Sequence, residues 1–305
     1  DRLSKRIDEV KAPLCVGFDP RPEWIPECFL EEAQKIAESD DDFVCSALFE
    51  YLRTALEAVS PFAAAIKPNL AFFEMLGIGG LRAFSALTFE ARNLGLPVIA
   101  DAKRGDIGST AEAYASAFFG SAAFGQKTIS LAHVDALTIN PFLGFDTLEP
   151  FVTACEEHDT GIFVLVKTSN PGSGDLQNCR VEQSTISERV ALWLHQQANR
   201  LGGKSGLSGL GAVVGATYPE EAQALREVMP KNYFLIPGMG AQGGSAEEAA
   251  AGFTNDKRGA IVNVSRGILG QPSSKQIFRE EFRAEVSQKA EEFHRQLQDA
   301  LNVGF

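Results

Sequence analysis

Short runs of valine, isoleucine, leucine and alanine recur along the whole chain, and nearly all of them end in a polar residue or a Gly/Pro turn. Such nearly continuous apolar runs are typical of parallel β-strands that are covered on both faces. The runs are residues 14–20, 62–69, 96–103, 134–142, 161–172, 210–217, 233–240 and 259–267.

Segments with helical periodicity lie between most of these runs and place apolar residues three and four positions apart. They are residues 41–59, 80–95, 110–125, 184–202 and 245–253. The regular alternation of strands and helices predicts an α/β fold, a single (β/α)8 or TIM barrel. An open doubly wound sheet is the alternative, but the first run lacks the G-x-G-x-x-G sequence that a dinucleotide-binding fold would have there.

The chain has 305 residues, a length that allows one large domain or two medium ones. The absence of a long linker predicts one barrel domain over residues 1–305. Residues 1–13 are charged and amphipathic, which predicts an N-terminal helical extension and not a signal peptide. Residues 170–183 predict a long polar loop after the fifth strand, either a surface insertion or a lid.

The composition argues against two classes of partner. There are 28 basic and 40 acidic residues, a net charge of −12, whereas a nucleic-acid-binding surface normally carries clustered basic residues. No segment approaches the roughly 18 to 20 apolar residues that a membrane-spanning helix needs. The sequence therefore predicts no nucleic-acid partner and no membrane association.

The cysteines and histidines are scattered. The five cysteines include no C-x-x-C pair, and the four histidines are isolated. This pattern indicates neither a disulfide framework nor a zinc site. We therefore expect a cytoplasmic protein with reduced thiols and no bound metal.

A cluster of charged residues lies at the end of the third run, where Asp101, Lys103 and Asp106 fall within six positions. Asp101 and Lys103 are two residues apart on a strand, so their side chains should project to the same side. Lys67 lies in the neighbouring run, and two lysines alternating with two aspartates would form a charge-neutral network. Apolar packing usually stabilises a fold equally well, so such a network points to acid–base and electrostatic chemistry. Residues 109–112 (Ser-Thr-Ala-Glu) predict a capping box at the start of the next helix.

The ends of the last two runs carry glycines and polar residues in place of the acidic and basic pairs. Residues 237–244 are rich in glycine and include Gln242, and residues 263–269 include Arg266. The loops after strands 7 and 8 are the usual phosphate-binding position in (β/α)8 enzymes, and an arginine there adds a charged clamp. The sequence thus predicts a phosphate site on a protein whose overall charge would repel anions.

Six stretches together resemble the orotidine 5'-phosphate decarboxylases, and KPNLAFFE and KTSNPGS are similar to the longer bacterial-type branch of that family. They are VGFDP, AIKPNLAFFE, IADAKRGDIGSTAEAYA, VLVKTSNPGSGD, PGMGAQGG and SRGIL. The resemblance implies a homodimeric TIM-barrel lyase that needs no cofactor. It would convert orotidine 5'-phosphate to uridine 5'-phosphate and CO2, the last step of de novo UMP synthesis.

The resemblance also implies roles for the charge cluster. Lys103 matches the family's proton donor to C6 of the pyrimidine, and Asp101 matches the carboxylate that faces the departing CO2. Lys67 and Asp106 complete the alternating tetrad.

Further residues are implied to bind the substrate or the partner chain. Asp19 resembles the ribose-binding aspartate and Ser169 the base-recognising serine, while Gln242 and Arg266 resemble the phosphate ligands. Asn69 is a further candidate for the ribose. Asp106, Ile107 and Thr110 match residues that reach the partner subunit's site, with Thr110 among the substrate-binding residues.

Two other functions are alternatives to orotidine 5'-phosphate decarboxylation. A metal-dependent phosphosugar decarboxylase of the same fold would want a carboxylate ligand at the end of strand 2, where this chain has the cation Lys67. A non-catalytic nucleotide-phosphate-binding barrel would be expected to lack a member of the tetrad, yet all four residues are present.

Overall fold

The structure, a computed structural model, describes residues 1–217, 219–239 and 244–301. Its centre is a sheet of eight parallel strands. The strands are β1 (Leu14–Phe18), β2 (Ala65–Pro68), β3 (Ile99–Arg104), β4 (Ala136–Ile139), β5 (Gly161–Lys167), β6 (Ser208–Val214), β7 (Asn232–Pro237) and β8 (Ala260–Val264).

The strands follow the order β2-β1-β8-β7-β6-β5-β4-β3. The two end strands meet through the parallel bridges Ile66–Val98 and Asn69–Asp101, which bring the sheet round on itself. The predicted (β/α)8 barrel is therefore confirmed. Each predicted apolar run overlaps one of these strands, and no strand extends more than two residues beyond its run, as expected for parallel strands buried on both faces.

Helices pack around the barrel and connect its strands. They are α1 (Arg2–Val10), α2 (Glu27–Gln34), α3 (Asp40–Val59), α4 (Leu70–Glu74), α5 (Gly77–Asn93), α6 (Gly108–Phe119), α7 (Glu149–His158), α8 (Gly174–Gln177), α9 (Ile186–Gln197), α10 (Pro219–Val228), α11 (Ala246–Ala250) and α12 (Arg279–Leu301). Short 3-10 turns cover Pro22–Trp24, Phe145–Leu148, Pro171–Ser173 and Ala198–Leu201. No helix in the described ranges combines the length and the apolar character needed to cross a bilayer.

Two local predictions around α6 were wrong. The helical pattern over 110–125 stops at Phe119, and Ala122–Phe124 instead pairs with Lys127–Ile129 in an antiparallel hairpin whose turn begins at Gly125 with φ 63°. A glycine at positive φ suits such a two-residue turn, so turn geometry outweighs the helical pattern. The predicted capping box at 109–112 does not form either, because α6 already begins at Gly108 without a side-chain cap.

The amphipathic helix α1 covers the N-terminal end of the barrel. Leu3 and Ile7 pack against the side chains that fill the barrel interior. Ser4 Oγ lies 2.8 Å from the Tyr233 hydroxyl, and the Arg6 guanidinium donates to the carbonyl oxygens of Ser60 and Ala63. Helix α1 thereby covers part of this end of the barrel, where a cavity of about 640 Å³ remains beside Leu3 and Tyr233. The strand-end side chains lie at the opposite end.

Candidate active site

A cavity of about 330 Å³ opens at the carboxyl ends of the barrel strands. This is the face on which (β/α)8 enzymes build their sites from strand ends and βα loops. Polar and charged side chains from β1, β2, β3, β5 and β8 or the loops that follow them converge there: Asp19, Lys67, Asn69, Asp101, Lys103, Ser169 and Arg266.

Asp101 is the centre of a buried charge cluster in this cavity. Its Oδ2 accepts a hydrogen bond from Lys67 Nζ at 2.6 Å, and its Oδ1 accepts one from Lys103 Nζ at 2.6 Å. Thr138, on the adjacent strand β4, donates its hydroxyl to Asp101 Oδ1 at 3.0 Å. One carboxylate thus holds two ammonium groups in fixed positions.

The electrostatics of the cluster keep Asp101 and Lys67 ionised. Burial disfavours the Asp101 carboxylate, but the positive charges of Lys67 and Lys103 outweigh that effect and hold the Asp101 pKa well below its usual range. Burial also acts against the Lys67 ammonium, yet the negative charges of Asp101 and Asp19 leave the Lys67 pKa above its usual value. Asp101 and Lys67 therefore form a stable ion pair near neutral pH.

The two lysines differ in their access to water. The Lys67 side chain is 6% exposed, whereas that of Lys103 is 50% exposed. A proton lost from Lys103 can be replaced from solvent, and Lys67 has no comparable route. This difference makes Lys103 the better candidate for a proton donor, which must be reprotonated in each catalytic cycle.

Two buried oxygen atoms beside the cluster lack a hydrogen-bond partner among the described residues: Asp19 Oδ1 and Asn263 Oδ1. Both residues line the cavity. Buried acceptors normally find a donor, so these oxygens suit a ligand with hydroxyl or N–H groups. The cavity thus offers hydrogen-bond acceptors to a polar ligand that carries donor groups.

Comparison with known proteins assigns the chain to a family. The model of the orotidine 5'-phosphate decarboxylase / HUMPS family matches residues 12–280. The chain belongs to this family.

Individual relatives agree with that assignment. The orotidine 5'-phosphate decarboxylase of Rhodopirellula baltica is 44% identical over 268 residues, covering 88% of this chain and 87% of the relative. The enzyme of the same name from Deinococcus radiodurans is 44% identical over 271 residues, covering 87% of each chain. A solved structure of Leishmania donovani OMP decarboxylase is similar with a TM-score of 0.71 at 33% identity, covering 100% of this chain and 98% of that one.

The structure separates the predicted site residues into two groups. Lys67, Asp101 and Lys103 meet, as the alternation of charges predicted, and the other cavity-lining candidates surround them. Asp106, Ile107 and Thr110 do not line this cavity. Asp106 Oδ1 accepts the N–H of Ile107 at 2.8 Å, and Ile107 and Thr110 are exposed. Gln242 lies outside the described residues.

The sequence interpretation missed Thr138 and Asn263. Each lies within an apolar run, and nothing in the sequence distinguishes the threonine or the asparagine there from an ordinary strand residue. The register of β3 against β4 pairs Ala100 with Leu137 and then Arg104 with Ile139, which leaves Thr138 as the one β4 residue opposite residues 101–103. That alignment between strands was the signal that could have found Thr138.

The segment after β5 is hydrogen-bonded to Lys167 and Thr168, the residues that precede Ser169. The side-chain amide of Gln177 accepts the Thr168 N–H at 2.9 Å and donates to the Thr168 hydroxyl at 2.8 Å. Lys167 Nζ bonds Asn178 Oδ1 at 2.6 Å and lies 2.9 Å from Glu221 Oε2. The predicted loop 170–183 is therefore anchored at its base, with helix α8 inside it.

Carboxylates, thiols and imidazoles do not gather as metal ligands would. Over residues 1–217, 219–239 and 244–301, no three His, Cys, Asp or Glu side chains form a cluster able to hold a metal ion. The charged side chains that bond Asp101 are two lysines, which stabilise anions and not cations.

Proposed function

We propose that this protein decarboxylates orotidine 5'-phosphate to uridine 5'-phosphate and CO2, the last step of de novo UMP synthesis, without a cofactor. The observation that carries the proposal is the Lys67–Asp101–Lys103 cluster at the carboxyl ends of the strands. Membership of the decarboxylase family supports the same reaction. A charged cluster of this kind performs proton transfer and electrostatic stabilisation directly.

The reaction breaks the bond between C6 of the pyrimidine and the carboxylate carbon. CO2 departs and the electron pair stays on C6, which cannot delocalise it well. The Lys103 ammonium stabilises this negative charge and then transfers a proton from Nζ to C6, and solvent returns a proton to Lys103. Asp101 faces the substrate carboxylate, and Lys67 holds Asp101 in place.

Groups remote from C6 hold the substrate in this electric field. Arg266 and Gln242 bind the phosphate, and Ser169 recognises the base. Asp19, whose Oδ1 has no described partner, accepts a hydrogen bond from a ribose hydroxyl, with Asn69 beside it. Binding energy from these contacts fixes C6 next to Lys103 and so lowers the barrier.

We further propose that the protein acts as a homodimer in which Asp106, Ile107 and Thr110 reach the partner's site. Asp106 lies outside its own chain's cavity, and the Ile107 side chain is 62% exposed at the same turn. An exposed isoleucine beside a functional loop suits burial against a second copy. Asp106 of one chain would then complete the tetrad of the other.

The domain organisation and the cellular compartment of the protein are also proposed here. We propose that residues 1–305 act as one domain and that the protein is cytoplasmic. All five cysteines lie in the described ranges and are free thiols, which suits a reducing compartment.

The proposed reaction can be tested by following the absorbance of orotidine 5'-phosphate after the purified protein is added. We expect the absorbance to fall, with UMP as the product and equal rates with and without EDTA. Activity that disappears in EDTA and returns with Mg²⁺ would indicate metal-dependent chemistry instead. A protein that binds UMP but leaves orotidine 5'-phosphate unchanged would be a nucleotide-binding barrel.

A further inference from the structure

Thr138 occupies an unusual position between the two catalytic candidates of β3. It lies on β4, is 1% exposed and lines the cavity. Its Oγ1 accepts the backbone N–H of Lys103 at 3.0 Å and donates to Asp101 Oδ1 at 3.0 Å. One hydroxyl therefore connects the backbone of Lys103 to the carboxylate of Asp101.

The backbone at Lys103 explains why this connection is needed. Lys103 has φ 47°, in the left-handed region that non-glycine residues rarely adopt and that costs about 1 kcal/mol or more. The pairing of β3 with β4 is interrupted there: Ala100 pairs with Leu137, and the next pair is Arg104 with Ile139. The Lys103 N–H donates to the Thr138 side chain within this irregular stretch.

The same hydroxyl fixes the plane of the Asp101 carboxylate. Asp101 Oδ1 receives two donors, Lys103 Nζ and Thr138 Oγ1, while Oδ2 receives Lys67 Nζ. With donors on both oxygens, the carboxylate has one orientation that satisfies all of them. Rotation of Asp101 would move the Lys103 ammonium that it holds.

From these contacts we infer that Thr138 is a positioning residue for the decarboxylation, which rests on the proposed function. Its hydroxyl holds the Lys103 backbone and the Asp101 carboxylate in the arrangement that aims Nζ at C6. A displacement of about 1 Å at a reacting group can lower a rate about 100-fold. Loss of the hydroxyl should therefore impair the chemical step and leave substrate binding nearly intact.

The test compares Thr138→Val, which removes the hydroxyl at nearly constant shape, with Thr138→Ser, which keeps it. We expect Thr138→Val to lower kcat by roughly 10- to 100-fold with the KM for orotidine 5'-phosphate and the Kd for UMP nearly unchanged. Thr138→Ser should retain most of the wild-type kcat. Thr138→Ala carries the same expectation as the valine variant if the latter does not fold.

Thr88→Val is the matched control. Thr88 is also 1% exposed, and its hydroxyl donates to the Ser85 carbonyl within α5, away from the cavity. We expect this variant to lower the Tm without changing kcat. An unchanged kcat in Thr138→Val, an equal loss in Thr138→Ser, or a loss of UMP affinity as large as the loss of kcat would each overturn the inference. Wild-type protein that fails to convert orotidine 5'-phosphate would contradict the proposed function itself.

Discussion

Lys67 Nζ and Asp101 Oδ2 lie 2.6 Å apart, with the two side chains only 6% and 10% exposed. Charges removed from water to this extent are stable only when they are paired. The pair joins β2 to β3, the two strands at which the sheet closes, so it links the site to the closure of the barrel.

Removal of the Asp101 charge should therefore affect both stability and catalysis. Asp101→Asn leaves the Lys67 ammonium buried without its carboxylate, and breaking a buried pair in this way costs about 3 to 5 kcal/mol. We expect urea unfolding to detect a loss of this order, and we expect decarboxylation to be nearly abolished. Asp42→Asn, which breaks a solvent-exposed pair with Arg82, should change stability far less. Equal stability losses in the two variants would contradict this account.

The Asp101 contribution to stability should depend on pH in a defined direction. The Asp101 pKa is lower in the folded protein than in the unfolded chain, so the unfolded chain takes up the proton first as the pH falls. The stabilisation is complete above about pH 4 and is lost as the pH falls through the folded pKa. We expect the stability difference between wild type and Asp101→Asn to be constant from pH 7 to pH 5 and to shrink below pH 4. A difference that grows on acidification would refute the assignment.

Arg266→Ala should reveal whether Arg266 binds the phosphate. Loss of a charge-assisted contact worth about 2 to 3 kcal/mol lowers kcat/KM for orotidine 5'-phosphate roughly 30- to 160-fold. Orotidine, which lacks the phosphate, should be decarboxylated by the variant at nearly the wild-type kcat/KM. Arg200→Ala, which removes a surface guanidinium paired with Glu149 and Glu156, is the control and should leave both substrates unaffected. Equal losses for the two substrates would argue against the phosphate role.

The proposed composite site can be tested by complementation. Lys103→Ala and Asp106→Ala should each be nearly inactive as homodimers. In a mixed dimer, one site receives an intact Lys103 and an intact Asp106, and the other site lacks both. We expect substantial activity to return after subunit exchange, and dilution below the dimer dissociation constant to abolish wild-type activity. Mixed dimers that form and stay inactive would mean that Asp106 serves its own chain.

Arg226 offers a buried cation with a structural role. Its guanidinium donates to the carbonyl oxygens of Met229, Asn232, Gly252 and Gly259, and burial lowers its pKa to about 10. Arg226→Met leaves these buried acceptors without their donor and should lower the free energy of unfolding by about 3 to 5 kcal/mol. The kcat of the folded fraction should stay at the wild-type value, measured beside a urea titration. A specific loss of kcat would place Arg226 in the site's function.

The sequence by itself determined the architecture and the centre of the candidate site. Eight apolar runs alternating with helical segments predicted the barrel, because strands buried on both faces must be apolar throughout. The carboxyl ends of parallel strands meet at one face of a barrel, so the sequence alone places Lys67, Asp101 and Lys103 together. Local signals failed where turn geometry decided the outcome, as in the hairpin that replaces the end of the helix predicted over 110–125.

Only the tertiary structure decided how the cluster is held. The left-handed backbone of Lys103 and the interrupted register lie where β3 meets β4, a contact that neither segment encodes alone. Thr138 reads from the sequence as one more strand residue, and it becomes a partner of Asp101 only when two strands that are distant in the chain are aligned. Hydrogen bonds across strands depend on ångström-scale alignment, whereas sequence periodicity specifies only which face of a strand is buried.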